Sequence, residues 1–184
     1  MNNTNKIKVS SFWTNLFKSP AERSDLEEVL ASMPPFKNFS SSNLKSLIKI
    51  IHNRVYTAGE YIFYQSDPGI ALYIITDGEV KIVKHSNEIE EIELARFGRG
   101  DFFGELALLD NDVRSASAVA VKDSNLAVIF KPDLDRFIDK FPQKGNQILT
   151  GLSQIIATRL RKLDDEFLTL YNNLLFKKEG DNNG

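Results

Sequence analysis

The sequence predicts an α+β fold that is mainly β, with a sandwich or barrel-like roll of short strands between helical segments. Six of the ten glycines lie between Gly59 and Gly104, where they separate short runs rich in Val, Ile, Tyr and Phe. Short strands divided by turn residues are typical of such all-β layers. Residues before about 52 and after about 132 carry apolar side chains at helical spacing instead, which predicts helices at both ends of the roll.

The composition of the 184 residues excludes several classes of protein. Hydrophobic residues make up 42% of the chain and charged residues 26%, as in a globular domain rather than a disordered one. The net charge of −2 disfavours non-specific nucleic-acid binding, which relies on a basic surface. The chain has no cysteine, so disulfide frameworks, thiolate zinc sites and cysteine nucleophiles are excluded.

The two histidines, His52 and His85, are far apart in the sequence. A metal-dependent enzyme of the cupin type, whose fold is also a roll, needs clustered histidines, and a serine–histidine triad needs a histidine base. We therefore expect no metal cofactor and no catalysis. Both histidines are expected to be structural or exposed.

Residues 1–23 form an N-terminal extension before the predicted domain. They hold neither the apolar core of a signal peptide nor the roughly 20 apolar residues of a membrane-spanning helix, so a cytoplasmic location is expected. A short amphipathic stretch within the extension is expected to dock on the protein's own surface, with a partner or membrane surface as the alternative. Its apolar members are Phe12, Trp13, Leu16 and Phe17.

Residues 24–142 form the predicted domain, which begins with two helices. The first covers Ser24–Met33, where a capping serine and early acidic residues precede the apolar face, and two prolines end it. The second helix follows a run of three serines. Helical spacing predicts one apolar face on the second helix, made of Leu44, Leu47, Ile48 and Ile51.

Four apolar runs between these helices and residue 130 are predicted as strands. They cover residues 61–64, 71–76, 79–85 and 126–130, and from Ser115 onwards small and apolar residues also alternate as in a strand. Asp77-Gly78 separates the middle two runs. Because glycine tolerates a positive φ, this dipeptide predicts a tight hairpin between them.

The C-terminal region returns to helical spacing. Pro132 suits the first turn of a short helix over residues 132–141, and Pro142 ends it. A long helix is predicted over residues 143–176, followed by a polar, disordered tail over 177–184. Apolar residues on the long helix alternate spacings of four and three, which is typical of a coiled-coil seam and predicts a homodimer. The seam comprises Ile156, Leu160, Leu163, Phe167, Leu170 and Leu174.

The segment from Gly100 to Ala118 carries the residues that are best suited to bind a ligand. Gly104 precedes a short apolar helical turn and would let a ligand approach the backbone closely. The free amide groups at the start of such a turn attract a phosphate, and Arg114 can grip phosphate oxygens with its planar guanidinium. Glu105 beside an anion suits a sugar hydroxyl rather than a phosphate. Together these residues suggest a ribose phosphate of low charge.

This segment resembles the phosphate-binding cassette of cyclic nucleotide-binding domains, including the bacterial catabolite activator family and the regulatory subunits of cAMP-dependent protein kinase. The resemblance lies in Phe-Gly-Glu-Leu-Ala-Leu at 103–108, followed after a loop by Arg-Ser-Ala-Ser at 114–117. Further matches to the family's turns and strands extend it over about residues 35–142. One departure is Val113, where the family often has proline, which affects the stiffness of the loop. The resemblance implies a jelly-roll-like antiparallel β-roll, flanked by N-terminal helices and a long C-terminal helix.

The resemblance also implies roles for individual residues. The phosphate would be held by Arg114 and by the backbone of Leu106 and Ala107, while Glu105 would accept a hydrogen bond from the ribose 2′-hydroxyl. Ser115 would contact the phosphate or the base. The remaining residues that the resemblance assigns to the ligand site are Gly104 and Ala116, the apolar walls Val80, Phe102 and Phe103, and a base lid of Arg159, Leu163 and Asp164. In this lid, Arg159 would reach Glu105, and Leu163 or Asp164 would cap the purine.

The function implied is that of a non-catalytic cyclic nucleotide sensor. Its ligand would be cAMP, with cGMP as the second choice. Transcription factors of this family carry a helix-turn-helix module after the long helix. Because only about ten residues follow the seam here, we expect no such module, and the domain would signal through its C-terminal helices to a separate effector protein or through its dimer. The alternative is a degenerate domain that binds no nucleotide and acts as a protein-interaction scaffold, against which the intact Glu105 and Arg114 argue.

Overall fold

The computed structural model describes residues 20–85, 91–110 and 112–181. The amphipathic stretch predicted around Phe12 lies outside the described residues. Within the described part, two N-terminal helices lead into a six-stranded antiparallel sheet that closes into a roll, and further helices follow. The predicted β-roll with helices at both ends is therefore confirmed.

Helix α1 covers Pro20–Ser32 and helix α2 covers Ser41–Ile48. Ser40 caps α2, because its hydroxyl accepts a hydrogen bond from the amide of Asn43 at 3.3 Å. The predicted helical role of Ile51 is wrong. Ile51 is the first residue of a strand and is buried there, since a β-branched residue after the end of the helix packs equally well on a pleated surface.

The sheet is built around two long strands. Its members are β1 (Ile51–Tyr56), β2 (Tyr61–Phe63), β3 (Ala71–Lys84), β4 (Ile92–Gly98), β5 (Phe102–Phe103) and β6 (Ser117–Phe130). The main order is β1-β6-β3-β4, with β2 on β6 and β5 on β3, and every pairing is antiparallel. A short helix, α3 (Leu106–Asp110), lies between β5 and β6.

The hairpin predicted at Asp77-Gly78 is wrong. The two predicted strands on either side of it form the single strand β3, which pairs with β6 along its whole length. The register shifts at this dipeptide, so that it forms an irregularity in the ladder rather than a turn. Gly78 has φ +102°, and a Cβ there would lie 2.5 Å from the Cα of Ser124. Glycine is needed here because β3 and β6 pass close together.

Strands β1, β4 and β5 were not predicted from the sequence. The strand predicted from Ser115 onwards and the strand predicted at residues 126–130 are one continuous strand, β6, which starts at Ser117. In β4 most side chains are exposed or half-buried, and charged residues interrupt the apolar pattern. Strand β5 is two residues long. Such strands exist because neighbouring strands supply their hydrogen bonds, which a local pattern does not show.

Two buried clusters explain the continuous apolar runs of β3 and β6. Alternate residues of β3 point to opposite faces, so that Leu72 and Ile74 enter the first cluster while Tyr73 and Ile75 enter the second. The first cluster joins one face of these strands to α1, α2 and the C-terminal helices. The second cluster fills the interior of the roll. A strand that is buried on both faces has no polar side, which is why its sequence does not alternate.

The C-terminal helices are α4 (Lys131–Lys140) and α5 (Pro142–Asp181). Gly151 of α5 lies directly against Pro35, where a Cβ would come within 2.3 Å of the proline Cα. The tail predicted to be disordered from residue 177 continues as helix to Asp181. Lysine and glutamate are good helix formers, and one glycine costs about 1 kcal/mol in a helix, which the preceding turns tolerate.

Candidate functional site

A cavity of about 370 Å³ opens beside the segment that links β5 to β6. Its size lies within the range of small-molecule sites. Strands β3, β4 and β5, helix α3 and helix α5 all contribute to its walls. The lining residues are Phe63, Ile82, Leu94, Ala95, Phe97, Phe103, Gly104, Glu105, Leu106, Asp112, Val113, Arg114, Ser115, Ala116 and Arg159. Besides Arg114, seven of the residues predicted for the ligand site or the base lid line this cavity.

Gly104 makes the close packing at this cavity possible. Its φ is +79°, a conformation that glycine adopts without steric cost. A Cβ at this position would lie 2.8 Å from a terminal nitrogen of Arg114 and 3.1 Å from the carbonyl oxygen of Ala71. The absence of a side chain therefore lets the arginine lie directly against the backbone where α3 is about to begin.

Arg114 is buried, with only 4% of its surface exposed. Its Nη1 donates to the carbonyl of Gly104 at 2.9 Å, and its Nη2 donates to the carbonyl of Ala71 at 2.8 Å. The guanidinium carbon lies 4.2 Å from the centre of the Phe63 ring and 5.6 Å from that of Tyr73. The carbonyl oxygens and the aromatic faces stabilise a cation, and they hold the planar group in one orientation.

The charge of Arg114 is only partly compensated. Burial lowers the pKa of Arg114 from its ordinary value, although an arginine stays protonated near neutral pH. Its Nε is buried and has no hydrogen-bond partner among the described residues. Burying a hydrogen-bond donor without a partner costs free energy. An anion that entered the cavity and accepted a hydrogen bond from Nε would remove this penalty.

The loop between β2 and β3 holds the backbone of Arg114. The amide of Arg114 donates to the carbonyl of Asp67, and the amide of Ser66 donates to the carbonyl of Arg114, both at 2.8 Å. Ser66 has φ +70°, the one positive φ outside glycine among the described residues. The side chain of Asp67 stabilises the turn by accepting from the amide of Tyr64 at 2.8 Å. The arginine is therefore positioned at both its backbone and its side chain.

Glu105 is the second buried charge of the cavity, with 5% of its surface exposed. One carboxylate oxygen lies 2.5 Å from Nη1 of Arg159, which belongs to α5. Nη2 of the same arginine donates to the carbonyl of Phe102 at 2.7 Å. The guanidinium also lies about 5 Å from the rings of Phe97 and Phe102. These contacts fasten α5 to the roll at the edge of the cavity.

Several wall residues were missed by the sequence-based prediction. Ile82, Leu94 and Ala95, from β3 and β4, form an apolar side of the cavity, and Phe63 and Phe97 add aromatic faces. Strand β4 carried no usable apolar pattern, so its contribution was invisible. A search for the strand that pairs with residues 79–84 of β3 could have found it.

Four of the predicted residues lie elsewhere. Val80, expected as a wall, is fully buried in the roll interior; Ile82 lies on the same face of β3 but reaches the cavity. Phe102, also expected as a wall, packs into the first cluster and meets the ligand site through its contacts with Arg159. Leu163 and Asp164, expected in the lid, are exposed beyond Arg159 and do not line the cavity in this structure.

Two further findings bear on the classes of function. Residues 20–85, 91–110 and 112–181 include no helix long and apolar enough to cross a membrane. The same residues contain no group of three or more histidine, aspartate or glutamate side chains that could hold a metal ion.

Comparisons with known proteins identify the family. Residues 53–141 match the model of the cyclic nucleotide-binding domain. The cyclic AMP receptor protein of Thermus thermophilus is 36% identical over 133 residues, which are 72% of this chain and 60% of that protein. The chain thus spans about 60% of the length of this relative.

Solved structures show the same architecture. A cyclic nucleotide-binding domain from Methylobacillus flagellatus superposes with a TM-score of 0.75 at 26% identity, covering 84% of this chain and 86% of that one. The regulatory domain of Toxoplasma gondii PKA, solved with cAMP, superposes with a TM-score of 0.61 at 28% identity, covering 65% of this chain and 46% of that one. The chain therefore belongs to the cyclic nucleotide-binding domain family.

Proposed function

We propose that the chain binds cAMP in the cavity and serves as a regulatory, non-catalytic sensor. The observation that carries this proposal is the buried guanidinium of Arg114, whose Nε lacks a partner, in the same cavity as the buried carboxylate of Glu105. A cation and a carboxylate within one largely apolar cavity match a ligand with one negative charge, a sugar hydroxyl and a base.

The proposed roles follow the chemistry of each group. Arg114 and the backbone amides of Leu106 and Ala107 would hold the phosphate, and Glu105 would accept from the ribose 2′-hydroxyl. Ser115 borders the cavity and would contact the phosphate or the base. Gly104 and Ala116 leave room for the ligand, and Phe103 adds an apolar surface.

The apolar side of the cavity favours adenine over guanine. Both bases carry an amino group, but guanine has an amide N–H in addition, so it has one more donor that needs an acceptor when it is buried. The side chains of Ile82, Leu94 and Ala95 offer no acceptor. Ser115 is a candidate partner for the guanine amino group, which makes cGMP the second choice.

Titration calorimetry of the purified chain tests the proposal, after a denaturing wash that strips bound ligand. Micromolar or tighter binding of cAMP, with weaker binding of cGMP, is expected. A preference for cGMP would overturn the choice of base. The absence of heat and of a thermal shift with either nucleotide would favour the scaffold alternative.

We propose that the response is a shift in population between two arrangements of the C-terminal helices. Arg159 already connects α5 to Glu105, so a ligand that contacts Glu105 would act on this connection. Leu163 and Asp164 would reach the base as α5 settles further over the cavity. Hydrogen exchange in residues 132–176 should slow when cAMP is added; unchanged exchange there would contradict this mechanism.

We also propose that α5 forms a homodimer. The seam residues Leu160, Leu163, Phe167 and Leu170 are each 56–62% exposed, and long apolar side chains repeated at this spacing are stabilised by a second helix. Light scattering at concentrations of tens of micromolar should give the mass of a dimer.

A matched pair of substitutions tests the seam itself. Leu163→Glu places a charge in the proposed dimer interface, whereas Leu168→Glu places the same charge on an equally exposed residue outside the seam. The first variant should be monomeric and the second dimeric. Identical masses for the two variants would contradict the seam as the interface. We further propose that a separate effector protein responds to α5. The proposed location is cytoplasmic.

A further inference from the structure

Lys131 connects three parts of the molecule. It is the first residue of α4, and its amide donates to the carbonyl of Ile70, just before β3, at 2.9 Å. Its Nζ donates to the carbonyl of Leu108 in α3 at 3.0 Å, and it lies 3.5 Å from a carboxylate oxygen of Asp135. One lysine therefore links the segment beside the cavity to the helix that leads into α5.

The acceptor lies at a sensitive position. Leu108 is the middle residue of α3, the five-residue helix that starts with Leu106 in the cavity wall. The side chain of Leu108 is buried in the first cluster together with Leu134 and Phe137 of α4. An apolar contact and a charge-assisted hydrogen bond thus join α3 and α4. The hydrogen bond fixes the direction of α3, which apolar contact alone does not.

We infer that Lys131 is a positioning residue for the nucleotide, which it never contacts itself. It holds α3 in the orientation that presents the amides of Leu106 and Ala107 to the phosphate, and it makes α4 follow any movement of α3. This inference rests on the proposed function, since it assigns a regulatory contact to the same site.

The expected effect follows from the equilibrium between two arrangements. The Lys131–Leu108 bond is present in the arrangement in which Arg159 joins α5 to Glu105. Removing the bond lowers the population of that arrangement, and apparent affinity falls in proportion to the competent fraction. The lysine side chain is 28% exposed, so a loss of about three- to tenfold is expected rather than the larger effect of a fully buried charged donor.

Two substitutions of Lys131 and one control test the inference. Lys131→Met keeps an unbranched apolar stem and removes the donor, whereas Lys131→Arg restores a charged donor. Lys140→Met removes the same charge from the last turn of the same helix, where Nζ lies over the ring of Phe141. Affinity for cAMP is measured by calorimetry, and hydrogen exchange is measured at the amides of residues 106–110 with and without cAMP.

Lys131→Met should bind cAMP about three- to tenfold more weakly. Its amides at 106–110 should exchange faster in the free protein, and exchange in α5 should respond less to cAMP. Lys131→Arg should restore most of the affinity, and Lys140→Met should match the wild type. These exchange and rescue measurements separate positioning from a loss of general stability, which would accelerate exchange throughout the chain.

Three results would overturn the inference while the proposed function stands. They are wild-type affinity and exchange in Lys131→Met, no recovery in Lys131→Arg, or an equal loss in Lys140→Met. If the wild-type chain binds neither cAMP nor cGMP, the proposed function fails and the role of Lys131 toward a nucleotide fails with it. The two failures are distinguished by the wild-type titration alone.

Discussion

Arg114 and Arg159 line the same cavity and are held in different ways. Arg114 belongs to the roll and is 4% exposed, and both of its terminal nitrogens donate to backbone carbonyls. Arg159 belongs to α5, its side chain is 33% exposed, and it forms an ion pair with Glu105. Arg114 therefore contacts residues of the roll alone in these hydrogen bonds, whereas Arg159 joins helix α5 to the roll.

This difference assigns distinct tasks to the two arginines. A cation that is fixed by carbonyls and aromatic rings supplies a preorganised contact for an anion, because its side chain loses little conformational entropy when the ligand binds. A cation that bridges two elements makes their relative position depend on what Glu105 contacts. Under the proposed function, we therefore expect the roll side of the cavity to determine affinity and the helix side to determine the response.

Removal of Arg114 should have the largest effect. Arg114→Ala removes the proposed charge-assisted hydrogen bonds to the phosphate, which are worth roughly 1.5–3 kcal/mol each. The affinity for cAMP measured by calorimetry should therefore fall by about 10²–10⁴-fold. Arg114→Lys should recover little of this, because an ammonium cannot reproduce the planar fork. Arg136→Ala, on the exposed face of α4, is the control and should bind normally. Near wild-type affinity in Arg114→Lys would show that the phosphate lies elsewhere.

Gly104→Ala should have the next largest effect. The new Cβ would lie 2.8 Å from Arg114, at a φ of +79°. The arginine must move, and we expect cAMP affinity to fall by about ten- to a hundredfold, as for the loss of one to two good hydrogen bonds. Gly59→Ala is a matched control, because Gly59 has φ +83° and no atom within 4 Å of the added Cβ. Both variants carry backbone strain, so an equal loss of affinity would contradict the steric explanation.

Arg159→Met should act more on the response than on affinity. It keeps apolar contact with Phe97 and Phe102 but removes the bond to Glu105, so we expect roughly a tenfold loss of cAMP affinity. The stronger result should be the loss of cAMP-induced protection of α5 in hydrogen exchange. Arg161→Met, two residues further along on an exposed position, should retain that protection. A normal α5 response in Arg159→Met would contradict the division of tasks between the two arginines.

The ion pair between Asp25 and Arg99 should have the smallest effect. Hydrogen bonding to Arg99 lowers the pKa of Asp25, so the pair contributes stability above the ordinary pKa of aspartate and loses it as the pH falls through the lowered value. Both side chains are 46% exposed, and exposed pairs contribute little. Asp25→Asn should therefore leave the melting temperature and cAMP affinity nearly unchanged. A marked acid-dependent loss of stability that disappears in this variant would contradict this expectation.

Local patterns predicted most of the helices and the cassette. The apolar spacing of α2 and α5, and the prolines that mark the start and end of α4, are signals carried by nearby residues. Glu105 and Arg114 were found in the same way, because their spacing and the glycine before them lie within one short segment. Strand β4 and the wall residues Leu94 and Ala95 were not found, because their apolar character is weak and their role arises from pairing with β3.

The sequence by itself determined the class of fold, the family and the two charged groups of the candidate site, since each depends on local spacing or on a contiguous motif. Only the tertiary structure decided that Asp77-Gly78 continues a strand, because the choice between a bulge and a hairpin depends on whether β6 is available to pair on both sides. The contact between Arg159 and Glu105 was expected from the family resemblance. Only the structure placed Val80 in the core and Ile82 in the cavity, and brought Lys131 to α3. These contacts join residues far apart in the chain, and their geometry is fixed by the packing of whole elements rather than by any local pattern.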